Sequence, residues 1–185
     1  MLLDGVSRLL RAARGFRPDT RRFLAGMFLM GLGRGAMDVH LNLYLRSRGL
    51  DEAAIGRILS AGSAGVVAVS LPAALLADRI RAGRLFLLSA AGFALGLGLL
   101  VLAPPEPLLL SAIHFGVGAL FTVHWVAEGP FFLQSEGPGS RTELFGIAHA
   151  LETVATILTA WGTGALAEAL AARLGSESDG LRWAL

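Results

Sequence analysis

Ionisable side chains recur at helical spacing inside the apolar stretches of this sequence. One such stretch carries Arg34, Asp38 and Asn42. Steps of four residues place these side chains on one face of a helix. The pattern leaves two interpretations open. Arg34 and Asp38 form an internal ion pair that stabilises packing, or Arg34 meets an anionic substrate while Asp38 takes up a proton or cation.

Two later stretches each carry a histidine near a glutamate: His124 with Glu128, and His149 with Glu152. If these stretches form adjacent antiparallel helices, the two carboxylates lie at similar depth. Two carboxylates that share a low-dielectric site suit proton coupling, and a histidine beside each supplies a proton relay. We expect an ion pathway here. The alternative is that the four side chains face separate neighbours or solvated lipid headgroups.

The elements that must position these residues are five apolar segments, each near the ~20 residues that cross the hydrocarbon core. They lie at about 23–45, 53–77, 85–103, 108–133 and 144–170, and a sixth begins at about 182. Short polar connections separate them, and Pro104, Pro105 and Pro107 end the third segment because proline cannot continue a helix. An ionisable group inside a span costs about 2.5–3.5 kcal/mol on insertion scales, so such groups are functional candidates.

Composition agrees with an all-α integral membrane protein. Hydrophobic residues make up 54% of the chain and charged residues 16%, whereas soluble domains carry about 25% charged residues. The 24 glycines are typical of membrane helices, which small residues bring close together. The net charge of +2 does not indicate a nucleic-acid partner, because most basic residues lie between apolar segments. Without cysteine, neither disulfides nor thiolate metal sites can form.

Arginine distribution predicts the orientation of the chain. Residues 1–22 form a basic segment that does not resemble a signal peptide; it is either an amphipathic surface helix or a disordered leader. One side of the membrane would hold ten arginines: Arg8, Arg11, Arg14, Arg17, Arg21, Arg22, Arg79, Arg81, Arg84 and Arg141. The other side would hold five: Arg46, Arg48, Arg57, Arg173 and Arg182. We therefore expect a plasma-membrane protein with a cytoplasmic amino terminus.

The connection after the second segment carries a recognisable motif. Leu76-Ala77-Asp78-Arg79 is followed by Gly83-Arg84. This resembles the signature loop of the major facilitator superfamily, G-x-L-A-D-R-x-G-R-R, which joins helices two and three on the cytoplasmic side. The sequence departs from it twice: Ala74 replaces the leading glycine, and two extra residues separate Asp78-Arg79 from Gly83-Arg84.

The resemblance implies that residues 23–185 form the front half of a transporter built from inverted three-helix repeats, ending near its sixth helix. It implies secondary transport of a small solute, coupled to protons or another ion, with no cofactor and no resident metal. The partners implied are the bilayer, the solute, protons and the missing second half. Asp78 would latch onto that half; alternatively, the loop charges only set topology.

Two other functions remain open at this stage. His114, His124, His149, Glu128 and Glu152 include metal-ligating types, so an intramembrane metal-dependent enzyme is one alternative, although no H-E-x-x-H motif occurs. The other is a helical membrane subunit that packs with partners and transports nothing.

Overall fold

The computed structural model describes residues 15–77, 79–135, 137 and 140–184, and this part of the chain is helical with short connections. The six helices are α1 (Pro18–Ser47), α2 (Glu52–Ala77), α3 (Ala82–Leu102), α4 (Pro107–Ser135), α5 (Arg141–Leu174) and α6 (Glu177–Ala184). Helices α1 to α5 each coincide with one of the five apolar segments. The short α6 contains Arg182, where a sixth segment was expected to begin. Residues 1–14, which hold most of the basic amino-terminal segment, lie outside the described residues.

Local sequence explains where several of these helices begin and end. The carboxylate of Asp51 accepts a hydrogen bond from the backbone N–H of Ala54 (2.7 Å), which satisfies a free donor in the first turn of α2. Pro107 opens α4, at a position where its missing N–H is not needed. Gly175 ends α5 with φ of +70°, a left-handed conformation that glycine adopts without steric penalty.

Four of the helices are long and apolar enough to cross a membrane: α2, α3, α4 and α5. Large apolar side chains point outward along them, including Val67, Leu108 and Trp161, each more than three-quarters exposed. A soluble protein rarely exposes so much contiguous apolar surface, so these helices indicate a membrane protein. Helix α1 is not among the four, because Arg34, Asp38 and His40 lie within its apolar stretch.

The helices pack chiefly as α2 with α4, α1 with α5, and α3 with α4. Glycines hold the first two pairs at close backbone distance. A Cβ added to Gly35 would lie 2.5 Å from the carbonyl oxygen of Thr156, and one added to Gly31 would lie 2.8 Å from that of Glu152. A Cβ on Gly118 would lie 2.9 Å from the carbonyl carbon of Gly62. Backbones can approach this closely only where a side chain is absent.

The pair Gly92 and Gly96, which has the same spacing in the sequence as Gly31 and Gly35, faces side chains instead. Added Cβ atoms would meet the side chains of Leu120 and Val117, respectively. These glycines therefore let α3 lie against the apolar surface of α4. They serve packing, as the sequence pattern predicts for small residues at this spacing.

One end of the bundle is tied together by polar contacts. The Tyr44 hydroxyl donates to the carbonyl of Val101 (2.7 Å), and the Arg48 guanidinium donates to that of Ala103 (2.6 Å). These bonds satisfy carbonyl groups at the end of α3, which lack partners within the helix. The end of α1 is thereby joined to the end of α3.

Candidate functional site

Five ionisable side chains from three helices form one chain of charge contacts, which we call the charge network. Arg34 Nε donates to Asp38 Oδ2 at 3.1 Å, and Arg34 Nη1 lies 3.9 Å from Glu152 Oε1. His149 lies between two carboxylates: its Nδ1 is 3.8 Å from Glu152 Oε2 and its Nε2 is 3.8 Å from Glu128 Oε1. Five of the seven pathway residues proposed from the sequence therefore meet in space.

Helix geometry explains why these residues meet. Gly31 and Gly35 bring α1 against α5, so Arg34, between them in sequence, reaches Glu152. His149 lies one turn before Glu152 on α5, and from there it reaches Glu128 near the end of α4. The i, i+3 and i, i+4 spacings seen in the sequence supply the contacts within each helix. The contacts between helices depend on the glycine packing.

Burial changes along the charge network. The exposed fraction of the side chain is 58% for His149 and 45% for Asp38, but 18% for Glu152 and 7% for Glu128. Glu128 Oε1 is buried and finds no hydrogen-bond partner within the described part of the chain. The network therefore runs from an open face of the bundle to a buried carboxylate oxygen.

Two aromatic rings hold the Arg34 guanidinium, and the sequence interpretation did not include them. Its central carbon lies 4.8 Å from the ring centroid of Phe121 and 5.1 Å from that of Trp125. A cation above an aromatic face is attracted by the ring quadrupole. Phe121, Trp125 and Glu128 follow each other at i, i+4 and i+7 on α4. That periodicity places an aromatic pair on the face of Glu128, and it could have indicated these rings.

The remaining two predicted pathway residues lie elsewhere. Asn42 is exposed on α1, one turn beyond Asp38. His124 is buried among aromatic rings, 5.1 Å from the Phe86 ring centroid, and its Nε2 lies 3.1 Å from the sulfur of Met27. One helix turn separates His124 from Glu128, yet the two side chains lie in different environments. The histidine beside Glu128 is His149 of the neighbouring helix, at 3.8 Å.

The described residues of the signature loop lie at the end of the bundle near the start of α3. Asp78 is outside the described residues. Arg79 is exposed and its backbone N–H donates to the Leu76 carbonyl (3.0 Å). Gly83 and Arg84 belong to the first turn of α3. The two residues that are extra relative to the motif therefore lie between Arg79 and Gly83, where the chain passes from α2 into α3.

The charge network combines three carboxylates with one arginine and one histidine. Carboxylates thus outnumber permanent cations, so the network is suited to taking up a positive charge, a proton or a cation. His149 lies 3.8 Å from each of the two glutamates and so links their carboxylates. Among the described residues, no group of three histidine or acidic side chains is arranged to hold a metal ion.

Comparison with known proteins gives no relative. The chain matches no protein-family model, no curated protein and no solved structure.

Replacing Arg34 with lysine should lower thermal stability, even though the charge is kept. A lysine ammonium lacks the planar guanidinium that lies over the Phe121 and Trp125 rings, and weakening that contact should cost about 1 kcal/mol. The measurement is thermal unfolding of the purified protein in detergent micelles. Arg46→Lys is the matched control, because Arg46 pairs with Glu52 (3.4 Å) on an exposed surface where such pairs contribute little. Equal melting temperatures for Arg34→Lys and the unmodified protein would show that the contact of the Arg34 guanidinium with the two rings does not stabilise the fold.

Proposed function

We propose that this chain is the amino-terminal part of a major facilitator superfamily transporter of the plasma membrane. It carries a small solute by alternating access, coupled to protons or another cation. The observation that carries the proposal is the charge network, which runs from an open face of an apolar bundle to the buried Oε1 of Glu128. Ionisable groups within a span mark proton relays and substrate pathways.

The open face of the network has a consequence in a bilayer. Asp38 and His149 are about half exposed, and neither can face lipid hydrocarbon at acceptable cost. This face must therefore meet water or protein. A second half of the transporter, enclosing an aqueous cavity at the bundle interface, satisfies that requirement.

The packing pattern also supports this family. Inverted repeats relate helices one to three of a transporter half to helices four to six. Under this relation helix one corresponds to helix four and helix two to helix five, so the α1–α5 pair corresponds to the α4–α2 pair. Both pairs are closely packed through glycines. Helix α1 would be a fifth span, since it lies along the membrane-crossing α5, and α6 would belong to the sixth element.

Within this proposal, Glu128 is the site that holds the proton or cation. His149 passes protons between Glu128 and Glu152, and Arg34 responds by dividing its contacts between Glu152 and Asp38. Binding or release of the proton or cation changes the net charge of the network. This change favours one of the two arrangements of the transporter halves. The cytoplasmic loop with Asp78 and Arg79 would contact the second half.

The experiment is transport by proteoliposomes that hold the gene's full product. A panel of radiolabelled sugars, amino acids and organic anions is tested with and without an imposed pH gradient. We expect at least one solute to accumulate beyond equilibrium when the gradient is present, and a protonophore to abolish this. A folded protein that moves no solute and no protons would instead support a non-transporting subunit.

Topology gives an independent prediction. Glu106 lies in the exposed connection between α3 and α4, and the chain has no natural cysteine. A Glu106→Cys variant in intact cells should react with a membrane-impermeant maleimide. Gly137→Cys, at the opposite end of the bundle, is the control and should react only after permeabilisation. Labelling of Gly137→Cys but not of Glu106→Cys in intact cells would contradict the prediction that the amino terminus is cytoplasmic.

A further inference from the structure

A cavity that is separate from the charge network lies between α1, α3 and α4. Its volume is about 630 Å³, within the range of small-molecule sites. The walls are apolar and include Phe23, Met30, Phe86 and Leu87. Leu87 is 71% exposed, so the cavity communicates with the outer, lipid-facing surface of the bundle. Helices α1 and α3 touch only slightly, which leaves this gap between them.

The mouth of the cavity is positively charged. Arg22, Arg81 and Arg84 line it, with Asp19 as the acidic side chain among the described lining residues. Asp19 is paired with Arg22 at 2.9 Å. Arg81 and Arg84 are exposed, and neither forms an ion pair with any described side chain.

The same mouth contains the start of α3. Among the described residues, no side chain caps this helix, whose first turn follows Arg81. Free backbone N–H groups at a helix start attract anions. A Cβ on Gly83 would meet no described atom within 4 Å, so space is open beside these groups.

Deeper in the cavity, one buried polar group lacks a partner. His124 lines the cavity and is 4% exposed, and its Nδ1 has no hydrogen-bond partner in the described structure. Buried polar atoms are almost always paired. A polar group of a ligand beside this ring would complete the pairing.

The dimensions of the cavity match one leaflet of the bilayer. Arg22 at the mouth and Met30 at the inner end are two turns apart on α1, about 12 Å along the axis. Half of the hydrocarbon core is about 15 Å thick. A ligand that fills this space has an anionic end at the membrane surface, an apolar body, and polar atoms between them, near His124.

We propose that this cavity binds an acidic phospholipid, with its phosphate at Arg81 and Arg84 and one acyl chain between α1 and α3. The ester linkages of such a lipid lie between the phosphate and the chain, at the level of the His124 ring. A zwitterionic lipid carries the same chain but lacks the net charge, so the site should discriminate between the two.

The test is native mass spectrometry of the full gene product, taken from nanodiscs of equimolar phosphatidylglycerol and phosphatidylcholine. We expect selective retention of phosphatidylglycerol. Each arginine near the membrane surface should contribute about fivefold to acidic-lipid binding, so Arg81→Gln with Arg84→Gln should remove most of it. The control is Arg57→Gln with Arg173→Gln, two exposed arginines at the other end of the bundle, which should retain the lipid.

A second variant tests whether the acyl chain of the lipid lies in the cavity. Gly26 lines the cavity and a Cβ there would meet nothing within 4 Å, so Gly26→Leu should fill the space and reduce retention. Gly98→Leu, on the exposed surface of α3, should not. Equal retention of both lipids by the unmodified protein would overturn the proposal. So would displacement by free glycerol phosphate, which would indicate a site for soluble anions. Because Arg81 and Arg84 are exposed, their substitution remains informative even if Gly26→Leu unfolds.

Discussion

Replacing Glu128 with glutamine should abolish proton movement by the full transporter in proteoliposomes. Glutamine matches the shape of glutamate but cannot bind and release a proton. Glu128 Oε1 is the buried end of the charge network, so loss of its titration should interrupt the pathway. The measurement is alkalinisation or acidification reported by a trapped pH-sensitive dye, and we expect it to fall to the level of protein-free liposomes.

Two further variants make this result interpretable. Glu168→Gln lies on α5 and is exposed outside the network, so it should transport normally. Glu152→Gln should also impair proton movement, because it removes the carboxylate that joins His149 to Arg34. Membrane abundance should stay the same in all three. Normal proton movement in both Glu128→Gln and Glu152→Gln would show that protons do not pass through the charge network.

Gly118→Ala should cause a large loss of folded protein, because Gly118 lies directly against the backbone of Gly62. The added Cβ would lie 2.9 Å from the carbonyl carbon of Gly62 and 3.2 Å from its Cα. Backbone atoms cannot rotate away as a side chain can, so α2 and α4 must separate. Overpacking of this kind costs about 1–3 kcal/mol, and the obstruction here is backbone. The yield of monodisperse protein after size-exclusion chromatography should fall sharply.

Gly116→Ala is the matched control for this variant. It lies on the same helix, and a Cβ there would meet nothing within 4 Å. Alanine is a better helix former than glycine in peptides by about 1 kcal/mol, so the yield should be unchanged or slightly higher. If Gly118→Ala behaves like Gly116→Ala, then the α2–α4 contact is looser than the structure describes.

The sequence predicted the helices better than it predicted the site. Apolar runs separated by polar turns are a local signal, so the positions of α1 to α5 follow from composition and spacing. The i, i+4 pairing of Arg34 with Asp38 is also local, and the structure confirms their contact (3.1 Å). By contrast, His124 and Glu128 share the same spacing, yet their side chains lie in different environments.

The features decided by tertiary structure are those that join different helices. Phe121 and Trp125 reach Arg34 because α4 lies beside α1 at that height, and no single-helix pattern specifies such a contact. The cavity at Arg81 and Arg84 exists because α1 and α3 fail to pack tightly at one end.

The charged residues inside the apolar segments show this division. Their presence and their spacing along each helix are determined by the sequence alone, because helix periodicity relates residues three and four apart. Their assembly into a path from Asp38 through Arg34, Glu152 and His149 to Glu128 depends on which helices are neighbours. That choice is made by close glycine contacts between distant parts of the chain, and only the folded bundle brings those parts together.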